Sequence, residues 1–370
     1  MYLAWNELRR ARARFGLLIA AVALLVFLIL TQQTLQAGLL DSFVGGIRNQ
    51  SAPVLVLTVD GRKNLAASVI TPDLQQEITA VPGIGRSGRL GQRSMNVTTV
   101  STATQAAVVG YDSGAPGGPG TVSAGREATA PGEAVASDTA GPGFGLGDRV
   151  RVDPGGHEMT VVGVATDAQS QASPTLYTPW AGYEQAVRAS SPDARAPLPS
   201  AIALEPAAGT TPDQLVTNVN GSVADADAST KEDLADNSPG VAPIRQSFQI
   251  IFVLYGLVIP LVTGLFFLIV TFQKAGSLTL LRALGIPAGK LVRSLLTQVA
   301  LVVGVGVAVG ALLYLPLSVQ KLGSIALRPQ TGAIGFWAVL LIVLALASAL
   351  LSARRVLRIE PVTATTGAPR

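Results

Sequence analysis

Four apolar stretches without Asp, Glu, Lys, Arg or His interrupt this chain: Phe15–Thr31, Ile250–Phe272, Val299–Leu317 and Ile334–Leu351. About 20 mostly apolar residues cross the ~30 Å hydrocarbon core of a bilayer. Lipid offers the backbone no hydrogen-bond partner, so such stretches must close their own bonds as helices. The expected fold class is therefore an α-helical membrane protein with four transmembrane helices. A long polar segment separates the first two, and it reads as an extracytoplasmic α+β domain inserted between helices 1 and 2. The composition agrees: 49% hydrophobic and 14% charged residues are too apolar for an ordinary soluble domain. The first stretch has the basic flank and apolar run of a signal peptide. The residues that follow, TQQTLQ at 31–36, offer no small-residue cleavage site, so a retained anchor is expected.

Charge sets the expected orientation. Residues 1–14 contain four arginines; the segment 271–296 contains Lys274, Arg282, Lys290 and Arg293 and no acid; the tail contains Arg354, Arg355, Arg358 and Arg370. Residues 39–245 hold thirteen Lys and Arg against twenty-one Asp and Glu, a net charge of −8. Positive loops stay in the cytoplasm. Both termini and the 271–296 loop are thus expected inside a bacterial cell membrane, and the acidic segment outside. The pI near 9.6 then reflects topology, and no nucleic-acid partner is read from it. With no cysteine in the chain, thiol catalysis and cysteine metal sites are excluded. A domain of this size buries enough core without disulfides.

The expected division is an interfacial helix at 1–14, a first span and stalk at 15–48, and the external domain at 49–245. A second span follows at 246–272, a cytoplasmic helix at 273–296, a third span at 297–317, a fourth at 334–353 and a tail at 354–370. Leu35, Leu39, Phe43 and Ile47 recur at every fourth position beyond the first span, a helical stripe. In the domain, Val54–Asp60 reads as a strand and Thr71–Ala80 as a helix with Pro72 in its first turn. Val97–Val109 is rich in Thr and Val and reads as β. Residues 110–147, rich in Gly and Pro, read as turns. Arg149–Val152 and Met159–Val164 read as strands joined by a DPGG turn. Thr211–Val219 and Thr230–Ala235 read as helices. Pro260 predicts a kink in the second span. Gly306 and Gly310 form a GxxxG that permits close helix packing in the third.

Catalytic signals are weak. GIPAGKL at 285–291 has three residues between its glycines and Leu after its Lys, so it is not a phosphate loop. The single histidine, His157, lies in a GGHEM turn and is expected to be solvated. The apolar stretches hold no acid or histidine, which argues against a proton relay or a membrane protease. The chain is not expected to be an enzyme.

Three segments resemble the FtsX/MacB superfamily of ABC permeases. TFQKAGSLTLLRALGIPAGKLVRSLL at 271–296 resembles its basic "LLRALGI" signature before the third helix. SARRVLRIEPVTATTGA resembles its closing basic stretch with an acid, Pro and small residues. GLGDRVRV with MTVVGVATD resembles strands of its external domain. The start MYLAWNELRRARARFGLL, the Gln273-Lys274 pair and the IEPVTATTGA ending are most similar to the HrtB-type haem-efflux permeases, while DevC-like permeases share the layout.

The resemblance implies a permease that works by mechanotransmission in a homodimer within the lipid bilayer. Two copies of a cognate ABC ATPase subunit would carry ATP and Mg, and the chain would need no intrinsic cofactor. It implies an ATPase-coupling surface at Ser277, Leu280, Leu281, Arg282, Leu284 and Gly285. It implies haem as the exported substrate, met by Gln32, Gln33, Gln249 and Tyr255, with Arg48 or Arg245 pairing its propionates. Axial ligation of haem uses His, Met, Cys or Tyr, which leaves tyrosine near the membrane unless Met95, Met159 or His157 contributes. Two alternatives stay open: export of another amphiphile such as a lipid, lipoprotein or peptide, and an FtsX-like transducer that regulates a cell-wall hydrolase.

Overall fold

The computed structural model describes residues 12–100, 102–273, 287–318, 321–322 and 325–357. The chain forms two compact units, one helical and one built on a sheet that begins at Ala37 and ends at Arg245. Helix α1 runs unbroken over Arg12–Arg48. The sheet unit then contributes β1 (Val54–Thr58), α2 (Pro72–Thr79), β2 (Ile84–Thr98), β3 (Ala103–Tyr111), β4 (Val122–Gly125), β5 (Glu133–Ser137), β6 (Arg149–Val152), β7 (His157–Ala165) and β8 (Thr175–Pro179). There follow α3 (Trp180–Ser190), β9 (Ala201–Pro206), α4 (Pro212–Ser222), β10 (Ala226–Thr230) and α5 (Lys231–Asn237). Helices α6 (Val241–Gln273), α7 (Ala288–Tyr314) and α8 (Thr331–Leu357) complete the chain, with a short hairpin of β11 (Lys321–Leu322) and β12 (Ile325–Ala326) before the last. Four of these helices are long and apolar enough to cross a membrane.

The sheet has two halves that share β2. On one side β10, β1, β9 and the start of β2 lie in order, all antiparallel. Helices α2 and α4 cover this face: Leu74, Ile78, Leu215 and Val219 pack on Val54, Val56, Ile202 and Leu204. Each helix opens on a threonine cap, Thr71 and Thr211, with Pro in the first turn. These caps satisfy backbone N–H groups that have no partner within the helix. On the other side the pairing runs β2, β3, β8, β5, β7, β6 and returns to β2. Six strands thus close a ring. Alternate residues Met95, Val97, Val108, Val150, Met159 and Val161 fill its inside, as the two-residue side-chain period of a strand dictates.

Several expectations shift here. The β segment expected over 97–109 is two strands with a turn at Thr99–Thr102, closed by the Thr99 N–H on the Thr102 carbonyl. The glycine-rich stretch 110–147 carries two short strands, β4 and β5. The DPGG hairpin is present as β6 and β7. Past Ala37, α1 buries Leu40, Val44 and Ile47, with Phe43 packed alongside. This face is rotated from the Leu35–Leu39–Phe43–Ile47 stripe and shares Ile47 with it. There the Ser42 and Phe43 carbonyls accept from the N–H groups of Ala172 and Gln171 at 2.7 and 3.0 Å, and Gly46 donates to the Gln169 carbonyl at 2.7 Å. Asp167, Gln171 and Ala172 take left-handed backbone conformations to make this cradle.

In the helical unit, α6 continues through Pro260 without interruption. Helix α7 begins at Ala288 behind Pro287, so residues 288–296, expected within the cytoplasmic helix, belong to the third long helix. The GxxxG acts as a packing surface. A Cβ on Gly306 would meet Val22 at 2.7 Å, and one on Gly310 would meet the Ala23 carbonyl oxygen at 2.6 Å. Glycine at both positions lets α7 lie directly on α1.

Candidate functional site

The residues expected to touch substrate fall into two groups. Gln32, Gln33, Gln249 and Tyr255 belong to the helical unit, and Arg48 and Arg245 to the sheet unit. Arg48 lies fifteen residues beyond Gln33 on the same helix, about 22 Å along its axis at ~1.5 Å per residue. Arg245 and Gln249 lie one turn apart on α6.

Within the helical unit one glutamine, Gln33, meets an aromatic row. Gln33 Oε1 accepts from Trp337 Nε1. Phe252 stands 5.8 Å from Trp337, Phe248 6.5 Å from Phe252, and Phe336 5.5 Å from Trp337 in an edge-on contact. One helical turn of α1 thus offers a polar side chain to an aromatic strip from α6 and α8. Beside it Thr34 Oγ1 and the Tyr314 hydroxyl are 2.5 Å apart. The same hydroxyl accepts from the Gln330 N–H at 3.3 Å. Tyr314 is fully buried and serves packing. Tyr255 is half-buried against the bundle core, Gln32 is half-buried and Gln249 is exposed. An aromatic row with a few polar groups suits a flat amphiphile, because stacked rings provide area and an amide provides orientation.

Within the sheet unit both arginines are engaged. Arg48 donates to Asp41 at 3.0 Å and to Asp236 at 3.3 Å, and Arg245 donates to the same Asp236 oxygen. The end of α1, helix α5 and the start of α6 are therefore tied through one carboxylate. These pairs are partly solvated, and each contributes little by itself. An anionic ligand at Arg48 or Arg245 must displace or join this network.

Of the candidate axial ligands, Met95 and Met159 are buried inside the strand ring at 2% and 0% exposure. They are core residues. His157 is half-buried rather than fully solvated. It opens β7 opposite Val152, with its Nε2 buried and lacking a hydrogen-bond partner. Burial depresses its pKa, opposed by a hydrogen bond to the Pro131 backbone. The six ATPase-coupling residues, Ser277 to Gly285, lie outside the described residues, as do the expected interfacial helix before Arg12 and the tail beyond Leu357.

Sequence reading missed one feature of the sheet unit. A cleft of about 610 Å³ opens where β2 passes from the open sheet to the ring, lined by Arg93, Tyr183, Arg195 and Leu198 among others. Its only forewarning was the glycine spacing in β2 and β3. Gly91 and Gly110 are cross-strand partners, and a Cβ on Gly110 would sit 2.4 Å from Tyr183. The pair forms a pit for the Tyr183 ring at the cleft.

Residues 15–221, more than half of the chain, match the family model described as MacB-like periplasmic core domain. The chain belongs to the MacB-like family. The match begins in α1 and runs through the sheet to α4, so it covers the first apolar helix and most of the sheet unit together. Among solved structures, this MacB-like chain is similar to the periplasmic region of MacB from Actinobacillus actinomycetemcomitans, with 13% identity over 51% of this chain and 93% of that one, at a TM-score of 0.35. It is similar to the extracellular domain of the noncanonic ABC-type transporter YknZ from Gram-positive bacteria, with 15% identity over 48% and 99%, at a TM-score of 0.32. A domain of a putative permease protein from Porphyromonas gingivalis gives 13% identity over 49% and 88%, at a TM-score of 0.28.

Proposed function

We propose that this MacB-like chain is the permease subunit of an ABC-type efflux pump and that haem is its substrate. The family match, with three more membrane-length helices after the matched domain, carries the permease reading. In this reading two copies form a homodimer in the cell membrane, with both termini in the cytoplasm. A separate ATPase subunit binds ATP and Mg, and this chain does no chemistry. Ser277, Leu280, Leu281, Arg282, Leu284 and Gly285 receive the ATPase.

The route of force is supported by the helices themselves. Helix α1 is 37 residues long, far more than the ~20 a bilayer requires. Its last turns are bonded to the 169–172 loop of the sheet unit, and in this reading a displacement of the span is passed along α1 to that loop. The haem reading rests on the aromatic row at Gln33 and Trp337. With both methionines of the sheet unit in its core, Tyr255 is the axial donor that this reading uses.

The decisive experiment co-expresses the chain with its cognate ATPase and measures ATP hydrolysis and survival with added haem. In the wild type haem raises ATP hydrolysis, and co-expression raises survival on haem. Leu281→Asp with Arg282→Asp keeps basal hydrolysis and loses the haem response. Haem without effect on either quantity would reject the substrate. A full response in the double variant would reject the coupling surface.

A further inference from the structure

The 610 Å³ cleft of the sheet unit is unlike the surface around it. The domain segment 39–245 carries a net charge of −8. The cleft is lined by two arginines, Arg93 and Arg195, and by no carboxylate. Both arginines are exposed. Neither has an acidic partner among the described residues, a state they share with Arg62, Arg149 and Arg188, whereas Arg48, Arg86, Arg89, Arg126, Arg151 and Arg245 are paired. What sets Arg93 and Arg195 apart is that they line one cleft. A guanidinium left free in an acidic domain is a ready partner for a carboxylate or sulfonate.

The rest of the lining is apolar or neutral. Val69 and Leu198 are more than 40% exposed there, and the ring of Tyr183 forms part of the wall. Arg93 lies two residues beyond Gly91 on β2, on the same face of the strand, so the charge stands beside the pit that holds the ring. Tyr183 is held rigidly, because the Gly91–Gly110 pit receives its ring. The volume lies in the range of a site for one small molecule, about 300–1,000 Å³.

We propose that this cleft binds one small anionic amphiphile, a flat or apolar body bearing carboxylate groups. Arg93 and Arg195 take the anionic groups, and Val69 and Leu198 take the body, with Tyr183, 3% exposed, as support beneath. The site lies wholly within the sheet unit and is independent of what the membrane helices carry.

The test uses the full chain in nanodiscs of zwitterionic lipid and reads fluorescence anisotropy. Carboxyfluorescein is the anionic probe. Rhodamine 123, with the same ring system and positive charge, is its comparator. The wild type binds carboxyfluorescein saturably and does not bind rhodamine 123. R93Q/R195Q weakens the anionic probe at least about tenfold, the scale expected for losing charge-assisted contacts. R149Q/R188Q, which removes two exposed arginines outside the cleft, leaves binding unchanged. The proposal is overturned if the wild type shows no saturable binding, or if rhodamine 123 binds equally. It is also overturned if R93Q/R195Q matches the wild type, or if R149Q/R188Q loses as much.

Discussion

His157 shows how one side chain's surroundings change its meaning. In the sequence it sits in a Gly-Gly turn; in the fold it opens a strand whose alternate residues fill the ring. Burial favours the neutral imidazole and lowers its pKa from the ordinary 6.5. The folded chain therefore resists a proton that the unfolded chain accepts below about pH 6.5, and stability falls as the pH drops through that range. Glu133 titrates elsewhere. The Arg126 guanidinium, then the Thr129 and Ala130 N–H groups, hold its carboxyl down to about 2. Between about pH 7 and pH 5, the thermal midpoint of the sheet unit should fall, and His157→Gln should reduce that fall. An equal fall in both proteins would remove His157 from the account. The sequence named the residue but not its surroundings, because Val152 and Pro131 reach it through pairing and loop closure.

At the scale of elements, apolar runs were the most legible signal. A run of membrane length without charges has one low-energy form, so each of the four apolar stretches forms the body of a long helix, although α7 begins at Ala288, earlier than expected. Strand β2 was the least legible. Residues 84–96 read IGRSGRLGQRSMN, rich in Gly and polar residues that disfavour a strand on local propensity. It forms because β9 pairs its first half and β3 its second. The GxxxG of α7 lies between these extremes, since the motif is visible but its partner is not. Gly310 faces Ala23 and Val26, while Gly304 has nothing within 4 Å. Gly310→Leu should therefore overpack the α1–α7 contact, at a cost of about 1–3 kcal/mol, and lower the thermal midpoint of the purified protein. Gly304→Leu should be close to neutral. Equal effects would place the critical contact elsewhere.

At the scale of the whole molecule, charge is distributed unevenly along the chain, with the acids concentrated in 39–245. The acidic segment and the basic loops predict opposite sides of the bilayer. The absence of cysteine makes this directly measurable. Ser222, exposed at the end of α4, should react as Ser222→Cys with a membrane-impermeant maleimide on intact spheroplasts. Ser277→Cys, in the basic loop, should react only after lysis. The reverse pattern would invert the proposed orientation and remove the cytoplasmic surface for an ATPase.

The sequence alone determined the number of long apolar helices, the position of the inserted domain and the family resemblance. These depend on length, charge and short motifs, which are local properties. Tertiary structure alone decided the closed strand ring, the burial of Met95 and Met159, and the sharing of Asp236 by Arg48 and Arg245. It also brought Arg93 and Arg195 to one cleft on the pit made by Gly91 and Gly110. The physical reason is sequence distance. Each of these features depends on backbone pairing that joins segments far apart in the chain, and no window of residues carries the register of its partner.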